Sequence, residues 1–162
     1  MLKQAINSIR RNHALEHATI TLMLANQGPM RVIGRAGTDG FYVYANVARD
    51  RLEEFAHEAL GRLQRGEASL AVSPLCGTNI AVAGVLAGAA SFVALAGRRS
   101  FFDGLSRAVT ASMIAIVASQ PLGRLIQKNY TTSPDLGGMR IVSVEKVGGG
   151  IGGLHKVRTA AV

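Results

Sequence analysis

Apolar and histidine positions recur every three or four residues near the start of the chain, in the series Leu2, Ile6, Ile9, His13, His17, Ile20 and Leu24. That spacing predicts one amphipathic helix over 2–26 with the series turned to a core. Gly28-Pro29 ends it, because glycine tolerates a left-handed exit and proline cannot extend a helix. The period then falls to two. Residues 30–36 read as a strand, 37–40 carry turn chemistry, and 41–47 alternate. Phe41, Val43, Ala45 and Val47 share one side of that second strand, with Tyr42, Tyr44 and Asn46 on the other. A helical period returns over 50–64, where Leu52, Phe55, Ala56, Ala59, Leu60 and Leu63 form the stripe and Gly66 stops it. Residues 68–73 read as a third strand, ended by Pro74.

At this point periodicity disappears. Residues 80–96 hold seventeen positions without a charge, and Asn79 and Gly97 extend the run to nineteen. A span needs about 20 apolar residues to cross a hydrocarbon core ~30 Å thick, so this run qualifies. Residues 98–104 make a short connection. Residues 108–122 form a second uncharged run of fifteen, roughly 22 Å as a helix, which spans if Arg107 and Arg124 snorkel. Gly84, Gly88, Ala89 and Ser91 give the first run a small-residue face suited to close helix contact. The competing reading is a hairpin buried in a soluble core. Length and charge distribution favour the membrane.

After the hairpin, residues 130–138 are polar and turn-rich, 139–147 read as a strand, 148–153 as a glycine loop and 154–159 as a last strand. The architecture expected is α+β: a small domain of two helices and about five strands, with a two-helix transmembrane hairpin inserted between its third and fourth strands. Residues 1–78 would open the domain, 79–125 form the hairpin, and 126–162 complete the domain.

Charge refines this picture. The chain of 162 residues carries a net charge of +8, which permits an anionic partner. Its basic residues are dispersed: nine beside seven acids in 1–78, three beside one in 98–107, six beside two in 123–162. Without Trp, a basic helix or aromatic–basic interleaving along the chain, nucleic acid is not the expected partner, and the lipid surface is. A homo-oligomer or another membrane protein is the further expected partner. The N-terminus has no apolar signal region. Five flanking cations (Arg62, Arg65, Arg124, Lys128, Arg140) against three in the connection (Arg98, Arg99, Arg107) put both termini in the cytoplasm of a cell whose inner membrane holds the hairpin. The single cysteine, Cys76, excludes an intramolecular disulfide.

The chemistry centres on His13-Ala14-Leu15-Glu16-His17. Histidines at i and i+4 project from one helix face, as two imidazoles sharing a metal require. Glu16 between them is placed to act as general base on a water whose pKa the metal lowers. The bland counterpart is a structural cluster in which Glu16 pairs with Arg10, Arg11 or a histidine. Cys76, in Pro74-Leu75-Cys76-Gly77-Thr78-Asn79 at the mouth of the first apolar run, is the candidate third ligand, since His₂Cys with an open position is a catalytic zinc set. An inert buried thiol is its alternative. His155 follows the glycine loop and is a further candidate, set against a solvent or strand-face role. Glu54-x-x-His57 is half of a di-iron pattern on a solvent face. Gly148, Gly150 and Gly153 match a dinucleotide fingerprint without the βαβ context it needs.

HALEH resembles the motif of the inverzincins, zinc peptidases of the insulysin and pitrilysin type. The resemblance implies zinc, with His13 and His17 as ligands and Glu16 as base. The third ligand of that family, a Glu on a later helix, does not carry over: Glu53, Glu54 and Glu58 come early on an exposed side, and Glu145 lies on a strand. RNHALEHAT, PLCGTN and TTSPDLGG together resemble the marks of an uncharacterised family of small bacterial membrane proteins, which implies the membrane placement. Two functions follow as expectations: a membrane-anchored zinc-dependent hydrolase, most plausibly a peptidase, and a non-catalytic membrane subunit whose His/Glu cluster is structural. A histidine-ligated redox cofactor is a third and weaker fit, since i,i+4 histidines suit a single ion better than haem.

Overall fold

A computed structural model describes residues 1–96, 101–148 and 153–161, and of Phe101 and Asp103 the backbone alone. The chain divides into two compact units, residues 1–73 with 128–162, and residues 74–127.

The first unit is α+β. Helix α1 (Leu2–Gln27) ends where Gly28 takes φ 81° and returns its N–H to the Leu24 carbonyl at 3.0 Å. Strands β1 (Val32–Gly37) and β2 (Gly40–Ala45) form a hairpin. Its turn keeps Thr38 and Asp39 at ordinary φ and puts the positive φ (136°) on Gly40, where a Cβ would strike the Val157 carbonyl. Helix α2 (Arg49–Gln64) follows, then a 3₁₀ turn (Ala68–Ala71). Strands β3 (Met139–Gly148) and β4 (Gly153–Ala161) complete an antiparallel sheet in the order β1-β2-β4-β3. Alternation places Phe41 and Val43 of β2 and Val157 of β4 on the inner face, against Leu15 and Met23 of α1 and Leu52 of α2, all fully buried or nearly so.

Three expectations change. The stripe of α1 faces a core only from Asn12 to Met23; Leu2, Ile6 and Ile9 are exposed. Residues 68–73 are not a strand. Ala-Ser-Leu-Ala has little β-branched surface to pack on a sheet, and its backbone closes tight turns (Leu70 N–H to Glu67 O, 3.1 Å) instead of a ladder. The described sheet therefore has four strands, and the hairpin is inserted between the second and third. His155 is not on solvent; it lies on the inward face of β4, 1% exposed.

The second unit is a helical hairpin. Helix α3 (Gly77–Leu95) packs on α4 (Phe101–Ile126). The second helix runs well past the fifteen uncharged residues, through Arg107, Arg124 and Pro121, and continues as a π turn (Gln127–Thr131). At 1.5 Å per residue the helices reach about 28 and 39 Å, so both are long and apolar enough to cross a membrane. These helices are not buried in a core of this chain: Ile80, Val85, Phe92 and Val93 of α3 are 72–79% exposed. Polar groups turn the other way. Ser91 Oγ lies 2.6 Å from Ser112 Oγ between the helices. The rest of the expected small-residue contact face is not used: Gly84, Gly88 and Ala89 are exposed, and the two glycines border open space. At the hairpin's base, Gln127 donates to Asn79 Oδ1 at 2.7 Å, and Gly123 leaves the space that Asn79 occupies. Residues 98–100 of the connection and 149–152 of the glycine loop lie outside the described residues.

Candidate metal centre

His13, Glu16 and His17 stand on the central turns of α1, where the helix begins to be covered. His17 is 3% exposed, Glu16 6%, and His13 half-buried. The two rings lie 4.3 Å apart at an interplanar angle of 59°. Each Nδ1 meets a backbone carbonyl: His13 that of Thr131 at 2.9 Å, His17 that of Ala71 at 2.8 Å.

This fixes the chemistry of the far nitrogens. A carbonyl only accepts, so each Nδ1 must carry the hydrogen, and each Nε2 of the neutral ring keeps its lone pair. Carbonyl-held Nδ1–H is the arrangement that orients a metal-binding imidazole. His17 Nε2 is buried and has no hydrogen-bond partner. An orphaned buried acceptor costs about 1–3 kcal/mol, and a cation at that nitrogen repays it.

Glu16 is directed at β1. Gly34 lies against its carboxylate so closely that a Cβ there would overlap it. Glycine at this inward position of an edge strand is what makes room for a buried acid. The expected partners Arg10 and Arg11 are used elsewhere. Arg10 donates to the carbonyls of Asn129 (3.0 Å) and Thr132 (3.1 Å), and Arg11 to those of Asp135 (2.8 Å) and Gly137. Ser133 N–H returns a bond to the Arg10 carbonyl at 3.0 Å. The segment 129–137 is thus strapped along α1 by consecutive residues Arg10 and Arg11, and His13 takes its carbonyl from the same strap. Asn12, fully buried, ties the helix to the sheet through Gly37 O (2.8 Å) and Thr159 Oγ1 (2.6 Å).

Cys76 belongs to the hairpin unit, as N-cap of α3, with its Sγ accepting from Thr78 N–H at 3.4 Å. Each carboxylate considered as a family-type third ligand sits in an ion pair: Glu53 with Arg49, Glu54 with Arg51, Glu58 with Arg62, Glu145 with Arg158. His57 is exposed. His155 has both ring nitrogens buried without a hydrogen-bond partner, and burial pushes its pKa down, so it is held neutral. Asp39 is held below the usual carboxylate range chiefly by its bond from Lys156.

Sequence reasoning had no access to the Thr131 and Ala71 carbonyls or to Gly34. Backbone acceptors carry no side-chain signature, and a glycine inside a strand reads only as a weak point. The strap had one signal, the presence of RNHALEHAT and TTSPDLGG in one chain; the structure joins them.

The chain is 34% identical over 139 residues to an uncharacterized protein of Picosynechococcus sp. (strain ATCC 27264 / PCC 7002 / PR-6), an alignment covering 77% of this chain and 66% of that one. No solved structure matches. Residues 8–144, which include all of α1 from the strap onward, the hairpin and most of β3, match DUF6391, a domain of unknown function, and the chain belongs to that family.

Proposed function

We propose that this protein is a membrane-anchored metal-binding protein, with His13 and His17 as ligands through Nε2 and Cys76 as the third, and that the ion is zinc. The observation that carries the reading is the buried His17 Nε2, held as a lone pair by the Nδ1–H bond to Ala71 and left without a partner. Cys76 is favoured by donor chemistry and by the chain: it lies five residues beyond Ala71, and its sulfur with two imidazole nitrogens is a set that one ion accepts. Zinc held by these residues would supply Lewis acidity toward a bound water. Glu16, buried beside the histidines in sequence and kept in place by Gly34, is the residue to take up the proton, which makes hydrolysis, and peptide hydrolysis first, the proposed reaction. The ring-to-carbonyl bonds also support a second reading, a non-catalytic subunit in which the histidines tie α1 to the 3₁₀ turn and to the strap.

The hairpin is proposed to span the inner membrane of a bacterium with both termini in the cytoplasm, on the five-to-three balance of flanking cations. Metal analysis of the full chain purified in detergent without chelator tests the centre. One zinc per chain, lost in His13→Ala, His17→Ala and Cys76→Ser, is the expected result; a folded protein with no metal overturns it. Glu16→Gln is expected to keep the zinc and lose hydrolysis of a peptide library. If zinc stays and neither protein hydrolyses anything, the non-catalytic reading replaces the enzyme. A tag in the 98–104 connection that reports a cytoplasmic location overturns the orientation.

A further inference from the structure

The outer face of the sheet carries a second built site. Strand pairing sets its side chains in rows: Arg35, Tyr42, Lys156 and Glu145 lie side by side across four strands, and Ile33, Tyr44 and Leu154 form the next row. The aromatic–basic interleaving that the linear sequence lacks is created here across strands. The rows enclose a cleft of about 630 Å³ with Ile33, Arg35, Tyr42, Tyr44, Leu154 and Lys156 in its walls, a size usual for small-molecule sites.

The charges of this face are unequal in availability. Lys156, 3% exposed, holds its Nζ 2.8 Å from Asp39 Oδ1 and 4.2 Å from the centre of the Tyr42 ring. It is an internal brace that fixes the ring, not a cation offered to solvent. Arg158 is paired with Asp39 and Glu145. Arg35 is exposed and has no hydrogen bond or ion pair among the described residues. Tyr42 and Tyr44 are 38% and 42% exposed. A ligand complementary to this cleft has a flat π-face for the tyrosines, edges for Ile33 and Leu154, and one anionic group for Arg35.

We infer that the cleft binds a free nucleotide, its base stacked on the tyrosine wall and its phosphate paired with Arg35. A single strand of nucleic acid has the same base and phosphate chemistry but needs a track of cations along its backbone. Here Lys156 and Arg158 are committed to acids, so one phosphate is matched and a run of them is not. The inference is independent of the metal centre.

Calorimetric titration of the full chain in detergent with AMP, GMP, CMP and UMP, and with an eight-residue oligouridylate, tests it. The expected result is saturable 1:1 binding of at least one mononucleotide, weakened about tenfold or more by Arg35→Ala and by Tyr44→Leu, and unchanged by His13→Ala. Both outer-face variants are expected to keep the parent circular dichroism and Tm, because neither side chain is in the core. No saturable heat with any mononucleotide, or affinity that both variants leave intact, overturns the inference. So does binding of the oligonucleotide alone, which would make the face a strand-binding surface.

Discussion

The two units of this chain solve opposite burial problems. The α+β unit has an apolar interior: Leu15, Met23, Phe41 and Leu52 are fully buried, while charges lie on the surface in ion pairs such as Arg62–Glu67. In the hairpin unit the arrangement is reversed. Phe92, Val93, Met113 and Val117 point outward, and it is Ser91, Ser112, Asn79 and Gln127 that face in and bond to one another. A hydrophobic core drives the first packing; in the second, Ser91 bonds across to α4 while Gly84, Gly88 and Ala89 of the expected small-residue face are exposed. The lesson is that burial, not hydrophobicity alone, separates a segment packed on its own core from one whose apolar side chains face outward.

The comparison is broken most severely in the first unit's core. Leu52→Ala is expected to cost about 2–5 kcal/mol in equilibrium denaturation, because the site is fully buried and leaves a cavity. Val85→Arg tests the proposed membrane placement directly. In water a substitution at this exposed position would fall within about ±0.5 kcal/mol. Near the centre of a spanning helix it is expected to cost ~2.5–3.5 kcal/mol of insertion, read as a lower integrated fraction in a vesicle insertion assay.

Acid sharpens the contrast next. His155 has its folded pKa depressed by burial, so between that value and the ordinary 6.5 the unfolded chain binds the extra proton. Its contribution is fully present above 6.5 and is lost as pH falls toward the folded value, with a slope of at most about 1.4 kcal/mol per pH unit. Tm measured from pH 7.5 to 5.5 is expected to fall less steeply in His155→Leu. The smallest effect belongs to the hairpin's polar seam: Ser91→Ala is expected to cost about 0.6 kcal/mol, since a single interhelical hydrogen bond in lipid is worth little more. A drop of several kcal/mol there would mean that the seam, not apolar packing, holds the helices together.

Much of the fold was legible. The 3.6 period marked α1 and α2, Gly28-Pro29 and Gly66 marked their ends, alternation over 41–47 marked β2, and the uncharged runs marked α3 and α4. The failures have physical causes. Residues 68–73 were misread because a short apolar run ended by proline suits a strand and a 3₁₀ turn alike, and partners decide between them. The uncharged run 108–122 understated α4, which extends from Phe101 to Ile126. The stripe of α1 was continuous in sequence but only partly covered, since periodicity shows which face a residue occupies and not how far the neighbouring element reaches. Of the candidate centre, the i,i+4 placement of His13 and His17 was legible; the carbonyls that set their tautomers were not.

By itself the sequence determined the class of each segment: which residues alternate, which recur with a helical period, which run long without a charge, and which two imidazoles lie four residues apart on one helix. Those properties are local, set by φ/ψ preference and side-chain spacing within about a dozen residues. Only the tertiary structure decided what depends on groups distant in the chain. It brought Thr131 to His13 and Ala71 to His17, set Gly34 beneath Glu16, and lined up Arg35, Tyr42 and Lys156 from three strands. Hydrogen-bond acceptors on the backbone are identical at every residue, so no reading of side chains reveals which carbonyl a buried imidazole will find.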